Sequence, residues 1–153
     1  HLAEEIVSEA MQHIGRKASE HHITVEHQNE LLLAQCDARL MVQVIINLVD
    51  NAIKYTPVGS HIHIFTRQEG TEAVFGVSDN GPGIPDGEKT QVFQMFYTGS
   101  TAVVDSRRSL GLGLSLCKSI VAAHGGEITV SDNSPAGAVF TVSIPAGEVE
   151  VHE

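Results

Sequence analysis

The amino-acid sequence predicts one domain of mixed α and β structure. Apolar residues recur at three- and four-residue steps over 2–18 and 40–52, as on one face of a helix. In contrast, residues 61–68 alternate apolar and polar side chains, as in a strand with one buried face. The length of 153 residues fits one domain, and 42% hydrophobic with 18% charged residues indicates a chain that folds.

Two helices are predicted in the first third of the chain. The first is expected over 2–19, from its apolar periodicity. The second begins at Asp37, whose carboxylate can cap it, and stops at Thr56-Pro57. This second helix has the strongest pattern in the chain.

Two hairpins are predicted around the second helix. The short apolar runs 23–26 and 31–36 indicate one hairpin, with the four residues between them as its turn. The runs 61–68 and 71–78 indicate a tight antiparallel pair, because Glu69-Gly70 separates them.

The second half of the chain is predicted to alternate loops with regular elements. Residues 79–87 contain three Gly and two Pro and must form a loop, followed by a short helix over 88–96. Residues 98–109 have little periodicity, and an irregular stretch of this length is more often a functional lid than a connector. The remaining elements are a helix over 114–124 closed by Gly125-Gly126, strands over 127–131 and 139–144, and a loose tail over 146–153.

The charge of the chain limits its ligands. With 19 Asp and Glu against 9 Lys and Arg, the net charge is −10, which argues against a nucleic-acid partner. A polyanionic ligand would need local cations or a metal ion. Cys36 and Cys117 suggest neither a disulfide framework nor a zinc site, and no apolar run reaches the 18 residues typical of a membrane span. We therefore expect a domain of the reducing cytoplasm.

A polar stripe follows the predicted second helix. Gln43, Asn47, Asn51 and Lys54 lie at i, i+4, i+8 and i+11, and so share one face. Asn amide oxygens are suitable ligands for Mg²⁺, and a lysine one turn further can reach a phosphate. Taken alone, the stripe is better explained as a solvated helix face, because Asn and Lys are common on surfaces.

A glycine-rich loop follows a predicted strand. In this loop Gly81 and Gly83 let the backbone approach a flat ligand, and Ile84 offers it an apolar surface. Asp79 can accept a hydrogen bond from the exocyclic amino group of adenine. The alternative interpretation is an ordinary Gly-Pro turn.

A second glycine-rich segment, 109–114, leads into a helix. Its backbone N–H groups and the helix dipole form a suitable phosphate site. Arg107 and Arg108 precede it, and they either pair with Asp105 or contact a terminal phosphate.

Together and in this order, these segments resemble the catalytic ATP-binding domain of bacterial sensor histidine kinases. The motifs are Asn47–Pro57 for the asparagine box, Asp79–Ile84 for the first glycine box, Phe93–Tyr97 for the phenylalanine box and Gly111–Leu114 for the second glycine box. His124-Gly125-Gly126 and 137–145 also fit, so the resemblance covers nearly the whole chain. Lys54–Ser60 and Ile84–Glu88 are most similar to the potassium-responsive Kdp-type kinases.

The resemblance implies the Bergerat fold, an α/β (α+β) sandwich in which a mixed, mostly antiparallel sheet packs on about three helices. ATP would lie between the second helix and the lid, with Asn51 as the main Mg²⁺ ligand and Asn47 beside it. The catalytic residues it implies are Asn47, Asn51, Lys54, Arg107 and Arg108. The nucleotide contacts it implies are Asn47, Asn51, Lys54, Tyr55, Asp79, Gly81, Gly83, Ile84, Phe96, Gly111, Leu112, Gly113 and Leu114.

Three positions depart from the family pattern, namely Thr98, Ser109 and Ala138, which puts the lid and the phosphate contacts in question. None of the nine histidines has the sequence setting of a phospho-acceptor. We therefore expect the catalytic domain of a longer, homodimeric, membrane-anchored sensor, in which 1–19 is the first helix after an absent dimerisation hairpin. That hairpin would carry the acceptor histidine, and a cognate response regulator would be the further partner.

Two alternatives to phosphotransfer are considered. A self-sufficient ATPase like the related gyrase, mismatch-repair and chaperone domains would place a water-activating Glu where this chain has Asn47, and an amide cannot take a proton from water. A nucleotide-binding regulatory module without chemistry is kept open by the departures at Thr98 and Ser109.

Overall fold

A mixed sheet covered by helices forms the domain. The computed structural model describes residues 1–93 and 112–147, and within them there are three α-helices and five strands. The helices are α1 (Ala3–Ile14), α2 (Ala38–Tyr55) and α3 (Leu112–Ala123), and the strands are β1 (His22–His27), β2 (His61–Glu69), β3 (Glu72–Asp79), β4 (Glu127–Asp132) and β5 (Ala138–Pro145). Short 3₁₀-helices span Gly15–Glu20 and Asp86–Glu88.

The sheet has the order β1-β2-β3-β5-β4. Only the β1–β2 pair among the described strands is parallel, and the others are antiparallel. Alternate residues of β5 are buried, as expected of a strand with one face on the core. The predicted sandwich of a mixed, mostly antiparallel sheet on three helices is confirmed.

Helix α2 lies at the centre of the core. As predicted, Asp37 caps it, since its Oδ1 accepts from the backbone N–H of Arg39 at 3.0 Å and of Leu40 at 3.2 Å. The helix ends at Tyr55, because Thr56 precedes Pro57 and is extended. Its buried side chains are Met41, Val42, Val44, Ile45, Leu48, Val49 and Ala52. Each large apolar side chain of this kind contributes about 1.5–3 kcal/mol when it is buried.

The first helix is shorter than predicted. The α-helix stops at Ile14, and a 3₁₀-helix continues to Glu20. Gly15 ends it with φ at +50°, a conformation that the apolar periodicity does not reveal. Among the described residues, no helix has the length and apolarity needed to cross a bilayer.

The predicted hairpin between 23–26 and 31–36 is wrong. β1 instead pairs in parallel with β2, with His22 opposite His61. The second run forms only isolated bridges, from Leu33 to Leu2 and from Ala34 to Ala146. Short apolar runs do not specify their partners, and here α2 provides the crossover that a parallel pair requires.

The other predicted elements lie close to their expected positions. The β2–β3 hairpin turns at Gly70, and α3 closes at Gly125, both glycines having positive φ. The first two residues of the predicted loose tail are hydrogen-bonded. The backbone N–H of Ala146 donates to the carbonyl oxygen of Thr71, and that of Gly147 donates to the carbonyl oxygen of Leu33. The predicted helix over 88–96 is the exception, because its described part contains only the end of the 3₁₀-helix Asp86–Glu88 and then turns over 89–93. The rest of that segment, the lid over 98–109 and the tail after 147 lie outside the described residues.

Candidate functional site

Asp79, the last residue of β3, is the most buried carboxylate of the site. It is 8% exposed, and its Oδ1 accepts from the backbone N–H of Gly81 at 2.9 Å and of Ala138 at 3.3 Å. Burial raises the pKa of this carboxyl, and the two backbone hydrogen bonds act against that rise. Among the described residues, Oδ2 has no hydrogen-bond partner, yet it retains solvent access. This oxygen is therefore available to a ligand.

The loop that follows Asp79 is packed too tightly for side chains at its glycines. A Cβ on Gly81 would lie 2.6 Å from Cγ2 of Thr56, and one on Gly83 would lie 3.0 Å from the carbonyl oxygen of Gly137. A Cβ on Gly137 would overlap the carbonyl oxygen of Asp79. Gly83 and Gly137 also have positive φ, of 77° and 111°. The glycines of the first glycine box are thus required by the packing.

Asn133 supports this loop and was not predicted. Its Nδ2 donates to the carbonyl oxygen of Asp79 at 2.7 Å, and its backbone N–H donates to that of Gly137 at 3.0 Å. The turn between β4 and β5 is thereby fixed against the end of β3. The only signal in the sequence is the turn-forming character of 132–137.

Lys89 makes a second connection between the same segments. Its Nζ bonds Asp86 and lies 2.9 Å from Oδ1 of Asp132. The bonds to Asp86 and Asp132 raise the pKa of Lys89, and the bond to Lys89 lowers the pKa of Asp86. Because these groups are near the surface, we regard the cluster as a contact between loops and not as a reactive site.

The polar stripe of α2 is present, and its members differ in their contacts. Gln43 is exposed and donates from Nε2 to Oδ1 of Asn47 at 3.0 Å. Nζ of Lys54 lies 3.0 Å from Oδ2 of Asp50. The half-buried Asn51 makes no side-chain hydrogen bond with other described residues. Its amide oxygen is therefore the freest member of the stripe.

Asn47 also faces α3. Burial raises the pKa of the Cys117 thiol to about 12, and a hydrogen bond with Asn47 counteracts part of this rise. Sγ of Cys117 lies 3.7 Å from the carbonyl oxygen of Val44. The thiol is consequently a packing group and not a nucleophile.

Thr56 brings α2 to the glycine loop. It directly follows Tyr55 and is buried, and its Cγ2 methyl faces Gly81. α2 also packs against β3, which ends at Asp79. The C-terminal end of α2 is thus held next to the loop that follows Asp79.

The second glycine segment is described only in part. Gly113, the second residue of α3, borders open space, since a Cβ there would meet no described atom within 4 Å. Leu114 and Ile84 are half-buried and pack against the core. Of Leu112 only the helical backbone is described, and Phe96, Arg107, Arg108 and Gly111 lie outside the described residues.

The donors of the site suit Mg²⁺ better than a transition metal. Among the described residues, no group of three or more His, Cys, Asp and Glu could hold a metal ion. The amide oxygen of Asn51, which no described residue bonds, is a hard, neutral ligand, of the kind Mg²⁺ accepts while it keeps waters and phosphate oxygens. The residues present therefore fit Mg²⁺.

Comparison with known proteins defines the class. The family model described as histidine kinase-, DNA gyrase B-, and HSP90-like ATPase matches residues 36–148, and the chain belongs to this family. It is 42% identical over 144 residues to the sensor protein KdpD of Clostridium acetobutylicum, which covers 94% of this chain and 16% of that protein. The predicted resemblance to sensor histidine kinases, including its Kdp-type character, is confirmed.

Solved structures agree with this assignment. The mycobacterial sensor histidine kinase MprB superposes with a TM-score of 0.86 at 26% identity, over 95% of this chain and 97% of that one. The catalytic domain of histidine kinase ThkA superposes with a TM-score of 0.83 at 31% identity, over 95% and 94% of the two chains. Both solved relatives are thus histidine kinases.

Proposed function

We propose that this chain binds Mg-ATP and transfers the γ-phosphate to a histidine of a dimerisation hairpin that lies outside this sequence. The observation that carries the proposal is the buried Asp79, held through Oδ1 beside a glycine loop, while no described residue bonds its Oδ2. Membership of the histidine kinase-like ATPase family supports it.

Asp79 recognises adenine. Its Oδ2 accepts a hydrogen bond from the exocyclic amino group, and it repels the carbonyl oxygen that guanine presents at the same position. Gly81 and Gly83 have no side chains that would keep the base away from the backbone. The half-buried Ile84 contacts the face of the base.

The stripe of α2 binds the phosphates. A bound Mg²⁺ would neutralise part of the charge of the phosphates, which a chain of net charge −10 otherwise repels. Asn51 and Asn47 hold it through their amide oxygens, and Lys54 moves from Asp50 to a phosphate oxygen. Tyr55 contacts the nucleotide, and Arg107, Arg108 and the segment Gly111–Leu114 complete the phosphate contacts.

The residues act by positioning and not by activating water. In the transfer, the bond from the γ-phosphorus to the bridging oxygen breaks, a bond to the acceptor imidazole nitrogen forms, and ADP leaves. Asn47 stands where the related ATPases place a water-activating Glu, and its amide cannot take a proton from water. These features support phosphotransfer over the ATPase alternative.

The full protein supplies the partners. The chain spans 16% of the length of the Clostridium KdpD. A structure of histidine kinase ThkA was solved in complex with the response regulator protein TrrA. By analogy, we place this chain as the cytoplasmic domain of a homodimeric, membrane-anchored sensor that passes phosphate to a response regulator.

A transfer assay tests the proposal. The chain is mixed with Mg²⁺, γ-labelled ATP and a separately made acceptor hairpin, with Asp79→Ala and a hairpin lacking its histidine as controls. We expect acid-labile phosphohistidine only with both intact partners. ATP binding without transfer supports the regulatory module instead, and steady hydrolysis on the order of 1 s⁻¹ without the hairpin supports the ATPase.

A further inference from the structure

His21, immediately before β1, makes one directed hydrogen bond. Its Nε2 lies 2.9 Å from Oγ1 of Thr56, and Oγ1 donates to the carbonyl oxygen of Ala52 at 2.7 Å. Because a hydroxyl has one hydrogen, Thr56 must accept from the Nε2–H of His21. Nδ1 of His21 is buried without a partner among the described residues. The bond to Thr56 is thus the only polar contact of this ring within the described part of the chain.

Thr56 transmits this bond to the glycine loop. The hydroxyl of Thr56 is fixed between His21 and Ala52, so its methyl is held against Gly81. The backbone N–H of Gly81 donates in turn to Oδ1 of Asp79 at 2.9 Å. Four residues therefore form a continuous chain of contacts from β1 to the carboxylate.

The backbone on both sides of His21 is anchored. The N–H of Gly59 donates to the carbonyl oxygen of Glu20 at 2.7 Å, and the N–H of His22 donates to that of Ser60 at 3.0 Å. These bonds join the segment to the loop that follows Thr56. With the backbone held on both sides, the His21 ring stays in position to donate to Thr56.

We propose that His21 is a positioning residue for adenine recognition. By donating to Thr56, it holds the threonine methyl against Gly81 and so orients the Asp79 carboxylate. The inference rests on the proposed function, because it takes Asp79 as the acceptor for the adenine amino group. No motif that identifies the family contains His21.

Matched variants at both ends of the bond test the proposal. His21→Leu removes the donor, whereas His21→Gln places an amide N–H close to the position of Nε2. Thr56→Val removes the hydroxyl, and Thr56→Ser removes only the methyl that faces Gly81. His22→Leu is the control, since His22 is exposed and stacks on His61 instead.

Two readouts are measured on folded protein, namely ADP affinity by calorimetry and hydrogen exchange of the Gly81 amide without nucleotide. We expect His21→Leu to weaken ADP binding about three- to tenfold and to speed Gly81 exchange. His21→Gln should stay within about twofold of the unmodified protein. The double variant His21→Leu/Thr56→Val should lose no more than either single one.

Each outcome has one meaning. If His21→Leu and Thr56→Ser lower only the unfolding temperature and leave both readouts unchanged, the proposal is overturned. If Asp79→Ala still loses ADP in that case, the proposed function stands without this inference. If the unmodified protein binds no ADP, the proposed function fails and the adenine role of His21 fails with it. Should His21→Leu not fold, Thr56→Ser decides through the same two readouts.

Discussion

His124, at the end of α3, bonds the backbone of Asp37, the capping residue of α2. Its Nε2 accepts from the N–H of Asp37 at 3.0 Å, and its Nδ1 donates to the carbonyl oxygen of Ile120 at 2.8 Å. Because a carbonyl only accepts, the ring carries its hydrogen on Nδ1. One side chain thus joins the C-terminal end of α3 to the N-terminal end of α2. This contact explains structurally why a histidine precedes Gly125-Gly126.

The first prediction follows from this contact. His124→Leu should lower the free energy of unfolding by about 0.5–1.5 kcal/mol, because it removes the acceptor of the Asp37 N–H and one of the two hydrogen bonds that the Ile120 carbonyl accepts. Urea denaturation measures the loss. His13→Leu is the control, since His13 is exposed on α1 and its replacement should change stability by less than about 0.5 kcal/mol. Equal losses in the two variants would contradict the role of His124.

Asp79→Asn should stabilise the nucleotide-free protein at neutral pH. Since burial raises the pKa of Asp79 in the folded state, the folded chain binds its proton more tightly than the unfolded chain. The carboxylate therefore lowers the free energy of unfolding as the pH rises from its unfolded pKa, about 3.9, to the raised folded pKa, and this loss of stability persists at higher pH. The amide removes the charge and keeps an oxygen for Gly81 and Ala138.

Thermal or urea unfolding at pH 7 checks this order of stability. Asp79→Ala is the matched variant, because it removes the acceptor as well as the charge. We expect Asp79→Asn to be at least as stable as the unmodified chain and Asp79→Ala to be less stable. If Asp79→Asn were as unstable as Asp79→Ala, the expected order of stability would be wrong.

Nucleotide selectivity should depend on the same side chain. Asp79→Ala should lose about ten- to hundredfold in ATP affinity, which corresponds to one charge-assisted hydrogen bond. The unmodified chain should bind ATP more tightly than GTP. Calorimetric titration with both nucleotides measures the difference, and equal affinities would remove the adenine assignment.

ADP affinity should fall as the solution is acidified towards the raised pKa of Asp79. The ionised carboxylate accepts a stronger bond from the adenine amino group than the protonated acid does. Titrations across pH 4–8, with Asp79→Asn at each pH, separate this effect from protonation of the ADP phosphates. A constant ratio of the two affinities across that range would show that Asp79 does not titrate in contact with the base.

The Mg²⁺ dependence of binding should distinguish the members of the stripe. Asn51→Ala should abolish the gain in ATP affinity that Mg²⁺ gives, since it removes an oxygen ligand. Gln43→Ala should keep most of it, because Gln43 is exposed and only donates to Asn47. Titrations with and without Mg²⁺ measure the gain for each variant. Equal losses would make the stripe a surface and not a site.

Local patterns predict the elements whose partners are close in sequence. Asp37 marks the start of α2, Gly70 the β2–β3 turn and Gly125 the end of α3, because each provides a cap or a conformation that the element needs. The partner of β1 is not encoded locally. β1 pairs in parallel with β2, and this pairing needs α2, which lies between the two strands in sequence, as the crossover. A short apolar run gives no indication of such a pairing.

The residues of the candidate site also fall into those that local patterns predict and those that they do not. The candidate roles of Asp79 and Gly81 are predicted from their position after a predicted strand. The polar stripe of α2 is predicted from helical spacing. His21 and Asn133 were missed, since their partners lie 35 and 54 positions away in sequence. A single histidine or a turn asparagine carries no signal of such a contact.

The contacts of Ala34 place His1 beside Ala146, which directly follows β5. The N–H of Ala34 donates to the carbonyl oxygen of His1 at 2.8 Å, and Ala34 also pairs with Ala146. A short glycine linker can therefore close the domain into a ring. New termini can then be opened at the exposed Gly70 turn, at the end of β3 opposite Asp79. Such a circular permutant would keep every contact of the nucleotide loop.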